Sequence, residues 1–327
     1  MIKYKISKYE SNNYNNWNTF IANAKNATFL FNRDFMDYHK DRFTDYSLLI
    51  TNSSNKIVAV LPANLKDTVL HSHQGLTYGG LVLSKDIILA EVIDIVYELL
   101  KYLNKNEINT IYLKLLPDMY NALPSNEIDY ILFLIDARLN RRDSLAVLDL
   151  NLMPNISRVR KRGIEKGIKN GLIVKEEQDF ELFWNEILIP NLNEKYNVNP
   201  VHTLEEIRYL KTKFPDKIKQ YNVYNNTTIV AGVTVFEKNN VVHPQYISGK
   251  KEYNNNLGSL DFLYNYLIFE VYKDKKYFDF GISNENDGTK LNQSLHYWKE
   301  SFGARTFKQD FYIIETCNYT LLENVLI

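Results

Sequence analysis

The spacing of apolar residues along the chain switches between a two-residue and a roughly four-residue period, and the order of the switches predicts an architecture. In the C-terminal half, residues 221–224 and 228–237 are β-rich runs separated by Asn225-Asn226, and a second pair, Asn239-Asn240, precedes the run 241–248. These runs predict a three-stranded meander. A polar loop over 249–256 then leads into a helix whose apolar stripe is Leu260, Leu263, Tyr264, Leu267 and Val271. A strand over 277–282, a helix over 291–301 and a last strand over 306–315 complete this half.

The N-terminal half repeats the order more loosely. Runs 46–51, 56–65 and 68–72, with a turn at 52–55, predict another meander, followed by a loop at 75–80. Helical spacing returns with Ile88, Val92, Ile95, Val96, Leu99 and Leu103, ahead of a strand over 110–115, a helix near 118–123 and a strand over 144–150. An internal duplication of a meander, helix, strand, helix, strand unit accounts for both halves. The expected fold class is α+β (mixed α/β) in two domains, 1–152 and 153–327, each a mixed, mostly antiparallel sheet flanked by helices. The second domain opens on 153–171, where Pro154 and Ser157 mark a helix start and Gly171 its end, and where Arg158, Arg160, Lys161, Arg162, Lys166 and Lys169 gather. That segment reads either as a solvated helix face or as a patch toward a phosphate-bearing ligand between the domains, with Arg160 as a candidate contact.

Composition narrows the classes. A chain of 327 residues that is 45% hydrophobic and 13% aromatic has material for two cores and is not globally disordered. Tyr outnumbers Phe, 24 to 17, which favours polar-edged clefts. Cations and carboxylates balance at 39 each, so no overall field draws the chain to nucleic acid or anionic membranes, and neither is expected as a partner. The single cysteine, Cys317, excludes an intramolecular disulfide framework and a zinc site built on Cys, and argues for a reducing compartment. Residues 1–10 lack the apolar core of a signal segment, and no window approaches the roughly 18 apolar residues of a membrane span, so the chain reads as cytoplasmic.

Candidate chemistry concentrates at strand ends. The strand over 277–282 opens into Ser283, Asn284, Glu285, Asn286 and Asp287, many hydrogen-bonding groups at one sheet edge, where ligands of mixed folds often bind. Glu285 and Asp287 can accept a proton, hold a substrate hydroxyl or cap the loop, and Ser283 is a further substrate candidate. In the run 241–248, His243 and Gln245 point one way and Tyr246 the other; the imidazole suits proton removal near neutral pH, or a structural hydrogen bond. Gly258 and Ser259, preceded by Asn255, Asn256 and Leu257, stand at a helix start whose free N–H groups can face phosphate or form an ordinary cap. In the N-terminal half, His73, Tyr78 and Gly79 lie in a glycine-rich loop that suits either a ligand or a tight turn, and Arg33 lies on 33–42, read as a helix. His71 and His73 alternate, but no third ligand has metal-binding spacing, so no metal is expected.

Residues 277–305, with Phe278-Asp279-Phe280-Gly281, Asn292 and Trp298-Lys299-Glu300-Ser301-Phe302-Gly303, resemble the C-terminal signature of the FemAB-like tandem proteins of the GNAT acyltransferase superfamily. The basic helix resembles theirs as well. Within that group, residues 31–45 and the run Ser72-His73-Gln74-Gly75-Leu76-Thr77-Tyr78-Gly79-Gly80 resemble acyltransferases of surface-polysaccharide clusters. The resemblance implies two tandem GNAT-like domains, an acyl-CoA co-substrate and, as acceptor, the amino group of a dTDP-linked deoxyamino sugar destined for O-antigen or capsule. It implies Lys299 near the reacting centre, and by position it puts residues 255–259 and Asn292 on the coenzyme. The usual pyrophosphate-loop pattern, Arg/Gln-x-x-Gly-x-Gly/Ala, has no clean match. Direct attack of an amine on a thioester needs a proton acceptor, for which Glu285 and His243 both stand, and stabilisation of the oxyanion, for which Lys299 stands. No covalent enzyme intermediate is required, so Cys317 reads as an ordinary thiol. Two alternatives stay open: Fem-type transfer from an aminoacyl-tRNA, motivated by the basic helix, and a GNAT-like binding protein without catalysis, motivated by the imperfect loop.

Overall fold

The computed structural model describes residues 3–152 and 154–327, and the expected domain start at Met153 lies outside them. Two compact units are present. The first runs to Asp143 and takes in Asn286–Thr289 and Lys308–Ile327; the second holds Ser144–Glu285 and Lys290–Phe307. The packing therefore does not follow one cut at 152/153, because the chain returns to the first unit at its end. Both units are mixed sheets with helices, the α+β class expected from the sequence.

The first unit contains β1 (Tyr4–Lys8), β2 (Thr44–Asp45), β3 (Leu48–Asn52), β4 (Ile57–Leu61), β5 (Asn64–Lys66), β6 (Val69–His71), β7 (Val82–Leu83) and β8 (Thr110–Lys114), with helices α1 (Tyr14–Asn23), α2 (Leu89–Lys105) and α3 (Glu127–Leu134). Strands β1-β3-β4-β7 form an antiparallel sheet, and β8-β6-β5-β2 lie in another. The run 56–65, expected as one strand, is broken at Pro62, which has no N–H for the ladder, and the chain changes sheet between β4 and β5. The helix expected near 118–123 is only the turn Asp118–Tyr120, with α3 following it. The helix expected over 33–42 kinks at His39. In α2 the stripe Val92, Ile95, Val96, Leu99 and Leu103 is buried in the core, each side chain contributing about 1.5–3 kcal/mol of apolar burial.

Strand β9 (Arg138–Asp149) begins in the first unit and ends in the second. The second unit continues with α4 (Arg158–Lys169), β10 (Ile173–Glu177), α5 (Ile189–Tyr196), α6 (Leu204–Lys213), β11 (Ile218–Asn225), β12 (Thr228–Lys238), β13 (Val241–Gly249), α7 (Lys251–Leu257), α8 (Ser259–Tyr266) and β14 (Tyr277–Ile282). A short hairpin, β15 (Asn284–Glu285) and β16 (Lys290–Leu291), precedes α9 (Gln293–Glu300) and β17 (Arg305–Glu315). The sheet order is β10-β11-β12-β13-β14-β9, antiparallel except between β13 and β14. The meander of β11, β12 and β13 is the one expected.

Helix α4 starts as the sequence predicts, with the Ser157 hydroxyl accepting the Arg160 N–H, and Gly171 follows it in the left-handed region. Gly163 and Gly167 let it lie directly on α8. A Cβ on Gly163 would stand 1.9 Å from Asp261 Oδ2, and one on Gly167 2.5 Å from Phe262 Cβ. Arg158, Lys161, Arg162, Lys166 and Lys169 are left exposed.

Candidate active site

Strands β13 and β14 run parallel, yet they pair only at Val241 with Tyr277 and Val242 with Phe278. Local chemistry on both strands lets them part. Pro244 has no N–H to offer, and the register of β13 against β12 slips between Tyr246 and Pro244, leaving Gln245 as the extra residue of a bulge that bends the strand. On β14, Gly281 turns to φ 75, which glycine adopts without steric cost. The ladder therefore stops and the two parallel strands part toward their C-terminal ends, a common place for ligands in mixed sheets.

Titratable groups from several elements gather there. Asp279 on β14 is 2% exposed, and its Oδ1 accepts the Gly281 N–H at 2.8 Å. His243 on β13 holds Nδ1 3.1 Å from the Asp279 main-chain oxygen and 3.4 Å from Oδ2. Its Cε1 is 3.3 Å from where a Cβ of Gly281 would stand. Lys299 on α9 is buried and donates Nζ to the carbonyls of Gly281 at 3.0 Å and Ile282 at 2.5 Å. Its helix is aimed by Asn292, whose Oδ1 accepts the Leu295 N–H at 3.1 Å and whose N–H donates to the Ser283 carbonyl at 2.9 Å. Burial pushes the Lys299 ammonium down to about 8, with Asp279 opposing the shift. Lys238, at the end of β12, is pushed down to about 7 by burial, again against the pull of Asp279.

Other residues singled out in the second unit have their own partners. Glu285 is exposed and accepts from Asn292 Nδ2 at 3.1 Å. Ser283 is buried, with its hydroxyl unpartnered. Gln245 is the bulge residue. Tyr246 accepts the His202 N–H at 3.1 Å, and burial raises its hydroxyl to about 12. Arg160 is ion-paired with Asp261 of α8, to which Trp298 Nε1 also donates at 3.3 Å. Most of the expected loop 249–256 is helix α7; Asn255 O accepts from Lys166 Nζ at 3.1 Å, and Asn256 Nδ2 donates to Glu252 O at 3.0 Å. Leu257 ends that helix, and a Cβ on Gly258 would stand 2.1 Å from Gly163 O, so α4 is seated on the start of α8. Ser259 is buried, and Asn254 Oδ1 takes the Leu260 N–H at 3.4 Å.

In the first unit, the residues singled out hold its loops together. Buried Arg33 pairs with Asp37 at 2.5 Å and Asp45 at 2.6 Å and lies 3.9 Å over the Tyr9 ring. His73, at φ 79, accepts the Gly75 N–H on Nδ1 at 3.2 Å, and burial lowers it to about 3. Tyr78 donates to Thr28 Oγ1 at 3.0 Å, and a Cβ on Gly79 would stand 1.7 Å from Ser72 O. Asp287, 89% exposed, pairs with Arg141 at 3.0 Å.

Among the described residues, no group of three His, Cys, Asp or Glu could hold a metal, and no helix is long and apolar enough to cross a membrane. Cys317 is exposed.

Of the residues named from sequence, His243 and Lys299 come together, meeting at Gly281. Asp279 and Lys238 received no role there. The available signal was a carboxylate inside the otherwise apolar strand Tyr277–Ile282, since a buried charge requires compensating partners. Lys238 falls one residue beyond the run 228–237.

Neither a protein-family model nor a curated protein sequence matches the chain. Solved structures do. FemX aligns with a TM-score of 0.66 at 9% identity, covering 98% of this chain and 100% of FemX. L-PGS from Bacillus licheniformis aligns at 0.56 and 13% identity, covering 83% and 86%. A tandem GNAT protein from the clavulanic acid biosynthesis pathway aligns at 0.51 and 11%, covering 96% and 99%. The fold is that of tandem GNAT proteins. At such identities the likeness concerns the fold, and in this tandem GNAT fold the parting of β13 from β14 is the feature around which the buried titratable groups collect.

Proposed function

We propose that the protein is an N-acyltransferase that moves the acyl group of acyl-CoA to the amine of a dTDP-linked deoxyamino sugar, a step in making O-antigen or capsule. The observation that carries the reading is the meeting of His243 and Lys299 at Gly281, where two parallel strands part. A proton acceptor and a cationic donor thus stand at one glycine. The amine attacks the thioester carbonyl and gives its proton to His243, Lys299 stabilises the oxyanion, and the thiol leaves. Glu285 and Ser283, in the loop that follows, are assigned to the acceptor. The acceptor class rests on the resemblance of residues 31–45 and 72–80. Mixing the purified protein with acetyl-CoA and dTDP-amino sugars tests it: thiol release that requires both supports the reading, and no release with any pair of acyl-CoA and amino sugar sinks it.

A second donor is favoured by one observation. The start of α8, where a coenzyme pyrophosphate was expected, is covered by α4, whose outer face is cationic. An aminoacyl-tRNA would present an ester to the same amine and a phosphate backbone to those cations. Transfer from charged tRNA with steep salt dependence, and none from acyl-CoA, would select this donor.

A further inference from the structure

We propose that Asp279 is a positioning residue for His243: its main-chain oxygen fixes the ring tautomer, and its carboxylate stabilises the imidazolium formed when Nε2 takes the amine proton. The proposal rests on the acyl-transfer reading above and adds which group takes the proton and what holds it. A carbonyl oxygen only accepts, so the 3.1 Å contact requires the hydrogen on Nδ1 and leaves the Nε2 lone pair free. The carboxylate oxygen at 3.4 Å is long for a hydrogen bond but close for a charge. It cannot easily swing away, because the other oxygen is held by the Gly281 N–H and the side chain is buried. Glu285, the other candidate base, is exposed and engaged by Asn292.

In the step itself the amine nitrogen forms a bond to the carbonyl carbon, its proton passes to Nε2, and the bond to the leaving sulfur, or to oxygen for a tRNA ester, breaks. That proton then returns to the leaving atom. Asp279 keeps its charge throughout. Lys238 from β12, Lys299 from α9 and Tyr264 from α8 also face Asp279, so the imidazolium competes with at least two lysines for its carboxylate.

The test reads the ring directly. In the full-length protein labelled with ¹⁵N-histidine, the His243 signals are assigned by comparison with His243→Gln, and no substrate is needed. The wild type is expected to show Nδ1–H with Nε2 bare. Asp279→Asn, which keeps the main-chain oxygen, should retain that tautomer but titrate lower than the wild type, because an opposing charge is gone. Lys238→Met, which removes a competing cation, should titrate higher. An Nε2–H tautomer in the wild type, or an unshifted titration in a folded Asp279→Asn, overturns the proposal. Should Asp279→Asn fail to fold, the wild-type tautomer and the Lys238→Met titration decide. In turnover, Asp279→Asn should lower kcat by about tenfold to a hundredfold, hold KM, and move the acid limb of the kcat profile to lower pH. A loss of stability or a raised KM without that shift would mark a merely structural residue and overturn the proposal. Absence of turnover in the wild type with the NMR shifts as expected overturns the acyl-transfer reading and leaves the Asp279–His243 pair supported.

Discussion

Among the described residues each unit has a parallel strand pair with a lysine beside it, half-buried in the first unit and buried in the second, and the two lysines have different neighbours. In the first unit β6 pairs with β8 over three residues, and the chain after β6 goes on bonding to β8. The Ser72 N–H reaches Tyr112 O at 3.0 Å, the Lys114 N–H reaches Ser72 Oγ at 2.8 Å and the Gly79 N–H reaches Lys114 O at 3.1 Å. Lys114 Nζ then ties down the loop through Leu76 O at 2.5 Å and Gln74 O at 3.4 Å, and burial lowers it to about 8. Beside Gly79 and Gly80 lies a cavity of about 40 Å³, room for a water or two. In the second unit pairing stops after two residues. Lys299 has the same kind of carbonyl partners and the same shift, but Asp279 and His243 share its surroundings. A lysine on two carbonyls is therefore a way of holding a loop, and what makes one of them a candidate for chemistry is the company of a carboxylate and an imidazole.

The sharpest way to break that comparison is to remove each ammonium while keeping its length. Lys299→Met should lower kcat by about 10²–10³, the usual effect of losing one oxyanion donor. Lys114→Met should lower the melting temperature and leave kcat within about threefold, because the group it removes only holds a loop. Steady-state kinetics beside thermal unfolding separates the two. If Lys299→Met loses only stability, the lysines are equivalent and the place where β13 and β14 part is not an active site.

The meander, the helix preceding β14 and the closing strand were legible because alternation and helical spacing are written in local sequence. The breaks were legible only in part. Pro62 splits one expected strand between two sheets, and a single proline inside an apolar run does not say where the chain goes next. The Lys251–Leu257 helix was hidden by its three consecutive asparagines, residues that favour turns unless tertiary contacts override them. At the site, His243 was legible from its place on a strand and Lys299 from its motif. Asp279 was in that motif without a role, because its partners come from β12, β13 and α9, and such convergence is set by packing, not by spacing along the chain.

The two units should also respond differently to acid. In the first, burial holds His39 at about 4 and His73 at about 3, against roughly 6.5 for an unfolded histidine. Between about pH 6.5 and 4 the unfolded chain binds protons that the folded one refuses, so stability falls with pH there, by something of order 3 kcal/mol per ring. Lys114 in the first unit titrates at about 8, and Lys238 and Lys299 in the second at about 7 and about 8, against roughly 10.5 unfolded, so in both units lysine burial costs less as pH rises through that window and the contrast is confined to acid. Hydrogen exchange at pH 5 and pH 7.5 should show the first unit losing protection first, and His39→Leu should flatten the acid slope; equal loss in both units would remove the contrast. A smaller effect follows for turnover. Since Lys299 acts as a cation, kcat should fall above about pH 8, approaching tenfold per pH unit. A profile flat to pH 10 would mean that its charge is not used.

The smallest effects are expected at the polar loop that follows β14. Asp287 is 89% exposed and its ion pair with Arg141 is of the kind worth about 0–1 kcal/mol, so Asp287→Asn should change both melting temperature and turnover very little. Glu285→Gln keeps an acceptor for Asn292 Nδ2 and loses only the charge. As an acceptor-sugar contact it should raise KM by about threefold to tenfold, the cost of roughly one hydrogen bond, with kcat nearly unchanged. A general base would behave otherwise, its loss lowering kcat by about 10²–10⁴. A hundredfold fall in kcat for Glu285→Gln, paired with near-normal turnover in His243→Gln, would move the proton to the exposed loop and leave the buried cluster at Gly281 as scaffold, like its counterpart around Lys114.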